Sequence, residues 1–294
     1  ECGTVTSPNT EYVLQKDIQN GSQCLSIEAN NVTLNGDGYS INGTITVAPG
    51  TENTTIKNMT SFGRYGITLN QTSNVLIQSS NLQGETSVGI YDSENVTISN
   101  SVLNGTENES LYVMRSNQTY IHSNTIYGNV VAGAWSGASI PPYETIIANN
   151  GDFTFTNNTL PYLSQRRYVS FGRTSLHNTA AHFTNNTMRN VLFAGSYVRN
   201  MYITNNKILN DSEVSVLSGN FFIEDNYIEG LVSRLQSLEV FDNNTVISDN
   251  QCLRQVRDGP ITNSELKCNQ DGALINDVIQ IRAQTEFINV SVEA

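Results

Sequence analysis

Three arginines and two histidines cluster in one stretch of an acidic chain, at residues 165–182. They are Arg166, Arg167, Arg173, His177 and His182. Guanidinium groups bind carboxylates in a bidentate manner, and a basic side chain can act as the base of a lyase. The segment is therefore a candidate site for an anionic sugar. The alternative, which we favour, is that these side chains anchor a loop or form a subunit contact, because the opposing half of an active site is not evident.

A pair of carboxylates is a weaker candidate for a catalytic site. Inverting hydrolysis of a glycosidic bond requires two carboxyl groups about 6.5–9.5 Å apart. Asp92 and Glu94 are close in sequence, but no acidic residue recurs at the matching positions one repeat away. We interpret this pair as a solvent-exposed turn. Motifs for a metal, a cofactor or an activated serine are not evident either, so we assign no catalytic residue, no metal ligand and no cofactor.

Four cysteines lie near the two ends of the chain, at Cys2, Cys24, Cys252 and Cys268. An even number of cysteines in a secreted chain indicates disulfides, and four cysteines allow three pairings. Proximity favours Cys2 with Cys24 and Cys252 with Cys268. Free or metal-bound cysteines are the alternative, but no Cys-x-x-Cys motif or flanking histidine supports a zinc site.

The acceptor signal for N-linked glycans, Asn-x-Ser/Thr, occurs fifteen times. The repeat described below generates some of these triplets. Asn157, Asn185 and Asn243 share one repeat position, from which the side chain can point inward or into a stack. We predict glycans on several of the others, namely Asn20, Asn42, Asn53, Asn58, Asn70, Asn95, Asn104, Asn108, Asn117, Asn210 and Asn289.

The chain that must position these residues is rich in small polar side chains. Asn, Ser and Thr number 39, 29 and 29 of 294 residues, and all three are poor residues for helix interiors. The net charge of −12 excludes a surface that neutralises nucleic-acid phosphates. Apolar runs are too short for a transmembrane helix. Because the sequence starts at Glu1 rather than Met, we expect a processed protein secreted to the extracellular surface.

A short pattern, apolar–any–Asn/Ser/Asp–Asn/Ser–any–apolar, recurs along the chain, as in Ile77–Leu82 and Ile98–Leu103. Its copies are 22, 21, 21, 23, 34, 28, 20, 20 and 18 residues apart. Such a unit, with short alternating strands and polar turns, is typical of a β-solenoid whose coils share one core. We predict a single domain over 1–294, divided into an N-terminal segment 1–23, repeat coils 24–250 with insertions near 128–152 and 161–179, and a C-terminal segment 251–294.

The segment Cys24–Gly43 resembles the opening coil of NosD-like, pectate-lyase-like right-handed parallel β-helix proteins, and Thr10–Ile18 resembles the strand that precedes it. The similarity of the repeats covers roughly 10–250. It implies an all-β, right-handed parallel β-helix of about eleven coils. It does not imply one activity, because this superfamily includes lyases, hydrolases, surface proteins and adhesins. The Asp-Asp and Gly-His-Gly motifs of its hydrolases are absent from the sequence.

Solenoid ends expose strand edges, which are either capped or associate with another chain. The C-terminal residues have a strand pattern; they either add to a neighbouring copy or form an ordinary final coil. Trp135, in the first insertion, either contacts a partner or packs on its own coil. The predicted assembly contacts are Trp135, Ile281, Phe287, Ile288 and Val290.

The function predicted from these features is that of a non-enzymatic, secreted, N-glycosylated filament, sheath or surface-layer subunit, or of an adhesin. Its expected partners are copies of itself and, as a second class, glycans. No partnership with nucleic acid and no membrane span are expected. The alternative is a carbohydrate-active enzyme, either a polysaccharide lyase or a glycoside hydrolase.

Overall fold

The computed structural model describes residues 1–106, 109–132, 152–163, 167–171, 180–233, 238–248, 252–256, 259–268, 279–281 and 285–293. Every regular element among them is a β-strand, as the scarcity of good helix formers predicted. None of these residues belongs to a helix with the length and hydrophobicity that crossing a bilayer would require.

The strands are short and follow one another closely. The first sixteen are β1 (Gly3–Val5), β2 (Thr10–Val13), β3 (Ile18–Ile27), β4 (Val32–Asn35), β5 (Ser40–Val47), β6 (Glu52–Lys57), β7 (Thr60–Asn70), β8 (Ser73–Gln78), β9 (Asn81–Tyr91), β10 (Glu94–Ser99), β11 (Val102–Gly105), β12 (Glu109–Met114), β13 (Asn117–His122), β14 (Thr125–Ile126), β15 (Asn129–Ala132) and β16 (Phe153–Thr156). The others are β17 (Thr159–Leu160), β18 (Arg167–Phe171), β19 (Ala181–Thr184), β20 (Thr187–Arg189), β21 (Val191–Thr204), β22 (Lys207–Glu224), β23 (Tyr227–Ser233), β24 (Leu238–Asp242), β25 (Thr245–Ser248), β26 (Leu253–Val256), β27 (Ile261–Thr262), β28 (Glu265–Cys268), β29 (Ile279–Ile281), β30 (Phe287–Ile288) and β31 (Ser291–Glu293).

The strands pair in parallel and form three ladders along the stack. Ladder A contains β2, β4, β6, β8, β10, β13, β16, β19, the last residues of β21 and β22, β24, β27 and β30. Ladder B contains the first residues of β3, β5, β7 and β9, then β11, β14, β17, β20, the first residues of β22 and β23, β25, β28 and β31. Ladder C contains β1, the last residues of β3, β5, β7 and β9, β12, β15, β18, the first residues of β21, the middle of β22, the last residues of β23, β26 and β29.

The chain winds through ladders A, B and C in turn, which confirms the predicted right-handed parallel β-helix. Each ladder has thirteen members in the described residues, against the expected eleven or so. The stack is longer because residues 1–23 and 251–294 supply layers of their own, with β1 on β3 and β31 on β28. Ladder A passes from β13 directly to β16, although the first insertion separates these two strands in the sequence.

The core consists of apolar side chains that point inward from equivalent positions of successive layers. In ladder A these fully buried residues are Ile56, Ile77, Ile98, Ile121, Phe155, Phe183, Ile203, Ile223, Phe241 and Ile261. Buried and half-buried residues alternate along a strand, as in β4 and β16. One layer cannot bury its own apolar face, so each layer depends on its neighbours for stability.

Asparagine dominates the corners that precede ladder A. Asn9, Asn31, Asn53, Asn74 and Asn95 have φ angles between 51° and 57°. Asparagine tolerates this left-handed conformation better than most residues that carry a Cβ. The side chains also link the layers: Asn31 Nδ2 donates to Asn9 Oδ1 and Asn53 Nδ2 donates to Asn31 Oδ1, each at 2.9 Å. These two properties account for much of the asparagine content.

A second asparagine ladder is buried at the corner between ladders A and B. Its members are at most 3% exposed and are Asn124, Asn158, Asn186, Asn206, Asn226 and Asn244. Asn206 is typical: its Oδ1 accepts from the backbone N–H of Asn186 in the preceding layer at 2.9 Å, and its Nδ2 donates to the carbonyl of Phe183 at 2.9 Å. The ladder thus satisfies buried backbone groups that the turn would otherwise leave unpaired.

Each sequon asparagine considered for an inward position lies one residue before this buried ladder. Asn157, Asn185 and Asn243 are exposed and have φ angles of 56°, 56° and 50°. Their side chains therefore face solvent, and it is the following asparagine that enters the stack. The left-handed conformation of the first asparagine turns the chain from ladder A towards ladder B, so the two side chains point in different directions.

Candidate functional site

Strands β1 and β2 form the N-terminal edge of the described stack. β1 pairs with β3 and β2 pairs with β4, and the described residues place no strand on their other edges. A cavity of about 370 Å³ lies here, with Tyr12, Leu14 and Ile18 among the residues that line it. Val13, in β2, is 41% exposed. Unpaired N–H and C=O groups beside apolar side chains are the features that allow another strand to extend a sheet.

The C-terminal strands form a final coil of their own chain and still present a free edge. β30 pairs with β27 and β31 pairs with β28; within the described ranges nothing covers their outer edges. Of the predicted assembly contacts, Phe287 and Ile288 are 40% and 48% exposed here. Val290 packs partly against the core, and Ile281 lies in β29 beside β26. Trp135 is outside the described residues.

Two disulfides fasten the end layers. They join Cys2 to Cys24 and Cys252 to Cys268, the pairing expected from their positions, and leave no free cysteine. The first disulfide holds the segment before β1 against β3, and the second connects the end of β28 to the residue before β26. Disulfides persist in oxidising compartments, outside the cytoplasm.

Three tyrosines and a glutamate gather where ladder C meets the turn from ladder B; we call Tyr65, Tyr91, Glu109 and Tyr112 the tyrosine–glutamate cluster. Tyr65 is in register with Thr86 of the next layer, and the Thr86 hydroxyl donates to Glu109 Oε2 one layer further, at 3.4 Å. The rings of Tyr91 and Tyr112 lie on ladder C with their centroids 5.5 Å apart. Three successive layers therefore contribute to one partly buried surface.

Burial controls the electrostatics of this cluster. It raises the pKa of the Glu109 carboxyl, and the hydrogen bond from Thr86 offsets only part of this effect. The pKa of Tyr91 is raised by burial first and then by neighbouring Tyr65, Tyr112 and Glu109. A carboxyl group with a raised pKa keeps its proton at higher pH than an ordinary glutamate, as a general acid must. No motif marks these residues in the sequence.

Asp92, which was expected to lie in a solvated turn, has a basic partner one layer away. Its two carboxylate oxygens accept from Nε and Nη2 of Arg115, each at 2.6 Å, and these hydrogen bonds lower the pKa of Asp92. Glu94 is exposed and is in register with Ser73 and Asn117 rather than with another acid. The structure thus gives Asp92 a basic partner at this corner.

The segment rich in arginine and histidine is described only in part. Arg167 lies in β18 and His182 in β19, whereas Arg166, Arg173 and His177 fall outside the described residues. The His182 ring stacks on Tyr202 with a centroid distance of 4.6 Å, and Tyr202 stacks on Phe222 at 4.7 Å. An anion or sugar site in this segment stays a prediction.

The predicted glycosylation sites also stay predictions. The Asn20 side chain and Asn108 lie outside the described part of the structure. The other nine are exposed or half-buried: Asn42, Asn53, Asn58, Asn70, Asn95, Asn104, Asn117, Asn210 and Asn289. Asn95 and Asn289 donate Nδ2 hydrogens to asparagines of the preceding layer, at 2.7 and 3.1 Å. A glycan replaces only one of the two Nδ2 hydrogens, so the ladder and the modification are compatible.

The fold and the end disulfides define the class of protein: a right-handed parallel β-helix whose end layers are fastened by disulfides. The sequence profile of the NosD family, described as periplasmic copper-binding protein, matches residues 2–152, and the chain belongs to this family. The resemblance found in the sequence is thereby confirmed. The family description and the disulfides fit a periplasmic or extracellular location.

The side chains of the described residues do not fit a copper centre. Among them, no three His, Cys, Asp or Glu residues are arranged so that they could hold a metal ion, and all four cysteines are in disulfides. His122 and His182 occupy different positions of β13 and β19, with β16 between them. Met59, Met188 and Met201, whose thioethers could bind Cu(I), are buried in the apolar core.

Several solved structures resemble the chain at low identity. The A-module of mannuronan C-5 epimerase AlgE4 from Azotobacter vinelandii has 17% identity and a TM-score of 0.43, covering 100% of this chain and 89% of that one. The surface adhesin PfbA from Streptococcus pneumoniae has 11% identity and a TM-score of 0.38, covering 99% of this chain and 85% of that one. DFA-IIIase mutant C387A from Arthrobacter chlorophenolicus A6 has 9% identity and a TM-score of 0.39, covering 81% of this chain and 61% of that one. No curated protein matches the sequence.

Proposed function

We propose that this chain is a structural or adhesive protein of the cell exterior, whose copies associate end to end as the subunit of a filament, sheath or surface layer. The observation that carries the proposal is a pair of strand edges, one at each end of the described stack. Among the described residues no strand pairs with the outer edges of β1 and β2 or of β30 and β31, and exposed apolar side chains lie beside these edges.

Association through the ends has a physical reason. A β-strand edge carries a row of N–H and C=O groups, and pairing with another strand satisfies them while burying the apolar residues alongside. Parallel pairing is also the arrangement that the rest of this molecule uses in every layer. The sequence expectation that copies of the chain are its main partner follows from the same edges.

Replacing Ile288 with aspartate tests this proposal, because it puts a charge on the C-terminal edge without altering the interior. We expect the dissociation constant for self-association to rise by about tenfold or more, since an apolar contact is lost and a carboxylate is desolvated. Sedimentation velocity over a range of concentrations measures the change. Circular dichroism checks that the β-structure is retained.

Thr156→Asp is the matched control. Thr156 faces outward in the same ladder, far from both ends, so this substitution adds the same charge without touching an edge. It should leave self-association unchanged. Unchanged association of the Ile288→Asp variant, or a wild-type protein that remains monomeric at high concentration, would contradict the proposal.

The tyrosine–glutamate cluster favours a second candidate function, action on a polysaccharide with Glu109 as proton donor. The cluster unites a half-buried carboxyl of raised pKa with aromatic rings, and the Asp92–Arg115 pair lies at the end of the same strands. Aromatic side chains and a protonated carboxyl are the groups that bind and cleave glycans.

Glu109→Gln tests this second function on a panel of acidic and neutral polysaccharides, with release of new chain ends as the readout. The wild-type rate should fall as the pH rises through the elevated pKa of Glu109, because the acid loses its proton. The glutamine variant should be at least about a hundredfold slower. Glu85→Gln, one layer away and paired with the exposed Arg64, should remain active. Absence of products from the whole panel, or equal rates, would eliminate this function.

A further inference from the structure

One outward-facing row of residues in ladder A is polar along its length and apolar at its two ends. The pairing register runs from Val13 to Ile288 through eleven positions, which are all polar: Asn35, Lys57, Gln78, Ser99, His122, Thr156, Thr184, Thr204, Glu224, Asp242 and Thr262. Val13 and Ile288 are apolar and are 41% and 48% exposed. An outward apolar residue gains nothing from its own core, so these two positions are suited to a contact outside the chain.

The two end surfaces also match in winding order: a second copy can follow the first so that ladders A, B and C continue in the same sequence, an arrangement we call in-phase joining. The described strands begin on ladder C with β1 and finish on ladder B with β31, and each ladder has thirteen members. The first described layer consists of β1, β2 and the first residues of β3, and the last consists of β29, β30 and β31, so each contributes one strand to every ladder. A second copy placed on the first continues all three ladders in the same winding order, without a gap.

Building on the proposed function, we infer that the partner at each end is a second copy joined in phase, with β2 of one copy pairing with β30 of the next in the register used throughout ladder A. Val13 then lies beside Ile288, and Tyr12 lies beside Phe287. Both members of the second pair occupy the inward position, since Tyr12 is in register with buried Leu34 and Phe287 with buried Ile261.

Ladder B supplies a third apolar pair at the same junction. Ile18 is in register with Ile41, and Val292 with Leu266, and both of these neighbours are fully buried. In-phase joining therefore places Ile18 beside Val292 and closes the apolar cavity at the N-terminal end. The core then runs continuously from one copy into the next.

The same register creates one unfavourable contact, which makes it testable. Glu11 directly precedes Tyr12, and Glu286 directly precedes Phe287, so these two exposed carboxylates become neighbours. Glu11 already pairs with Lys57 at 3.2 Å, which reduces the repulsion. In-phase joining predicts that Glu286→Lys strengthens self-association roughly two- to fivefold at low salt, because repulsion becomes attraction. A junction in another register does not place Glu286 beside Glu11 and therefore does not predict this strengthening.

Cross-linking of two single variants tests the register directly. A Val13→Cys protein mixed with an Ile288→Cys protein should form a disulfide-linked heterodimer on mild oxidation. Neighbouring layers of this molecule have suitable geometry, since Cys2 and Cys24 are bridged between layers with a Cα–Cα distance of 4.6 Å. Glu11→Cys mixed with Ile288→Cys is the control. Its two thiols are offset by two residues along the strand, which puts the Cα atoms about 8 Å apart, beyond bridging distance.

The outcomes separate this inference from the proposed function. In-phase joining is supported if the heterodimer forms in the mixture of Val13→Cys with Ile288→Cys but not in the control mixture, and if the Glu286→Lys variant associates more tightly. If wild-type association is weakened by Ile288→Asp but the heterodimer does not form, or forms equally in the control mixture, the register is wrong and the proposed function stands. If the wild type does not self-associate at all, both are wrong.

Discussion

Replacing Asn206 with alanine should be among the most destabilising single substitutions in this protein, at about 3–5 kcal/mol. Asn206 is 1% exposed and sits within the buried asparagine ladder. Alanine removes the acceptor of the Asn186 N–H and the donor to the Phe183 carbonyl, and it leaves both backbone groups buried. Each unsatisfied buried group costs about 1–3 kcal/mol. The lost side-chain bond to Asn186, at 3.0 Å, adds to this.

Asn206→Ser is the matched control, because the chain itself uses serine at this corner. Ser101 and Ser264 occupy the equivalent position, and their hydroxyls accept the backbone N–H of Ser80 and Asn244 at 3.2 and 3.1 Å. Serine should therefore keep the Asn186 N–H satisfied and recover a substantial part of the loss. A serine variant as unstable as the alanine variant would show that this hydrogen bond is not the cause.

Hydrogen exchange is the appropriate measurement, since a stack of repeats need not unfold in one step. Protection of the Asn186 amide should fall most in the alanine variant and less in the serine variant. Amides several layers away, such as that of Ile56, should change little, because each layer contacts only its neighbours.

The fold was accessible from the sequence because a solenoid repeats the same physical requirement in every layer. Apolar residues recur at the inward positions, and polar residues recur at the turns. The prediction was less accurate at the Asn-Asn pairs, such as Asn157–Asn158 and Asn243–Asn244, where one residue is exposed and the next is buried. Two identical side chains give no sequence signal for which of them enters the stack. Backbone conformation decides it, since the first residue of each pair has a positive φ angle.

The tyrosine–glutamate cluster could not be predicted from the sequence, for a different reason. Its members come from three layers and show no motif, and their burial depends on a neighbour that has no side chain. The Tyr91 ring lies over Gly89, where an added Cβ would be 2.8 Å from the Tyr91 Cε2 atom. A glycine within a strand often marks a bulge, a bend or the close approach of another backbone. Here the missing side chain makes room for an aromatic ring, which only the packed structure reveals.

Removing the disulfide between Cys252 and Cys268 should loosen the C-terminal layers selectively. The bridge closes a loop with a sequence separation of 16, and both cysteines are fully buried. Restricting the unfolded chain by a loop of this size contributes about 3 kcal/mol. In the double variant Cys252→Ala/Cys268→Ala, hydrogen-exchange protection of the Leu266 amide in β28 should fall by about a hundredfold. The Ile98 amide, far along the stack, should keep its protection.

The double variant Cys2→Ala/Cys24→Ala is the counterpart at the other end, and it should affect β1 and β3 while leaving β28 unchanged. Uniform loss of protection through the whole stack in either variant would contradict layer-by-layer stabilisation. The C-terminal bridge also bears on assembly, because β30 and β31 rest on β27 and β28. If those strands form the junction between copies, the Cys252→Ala/Cys268→Ala variant should self-associate more weakly even where the central layers remain fully folded.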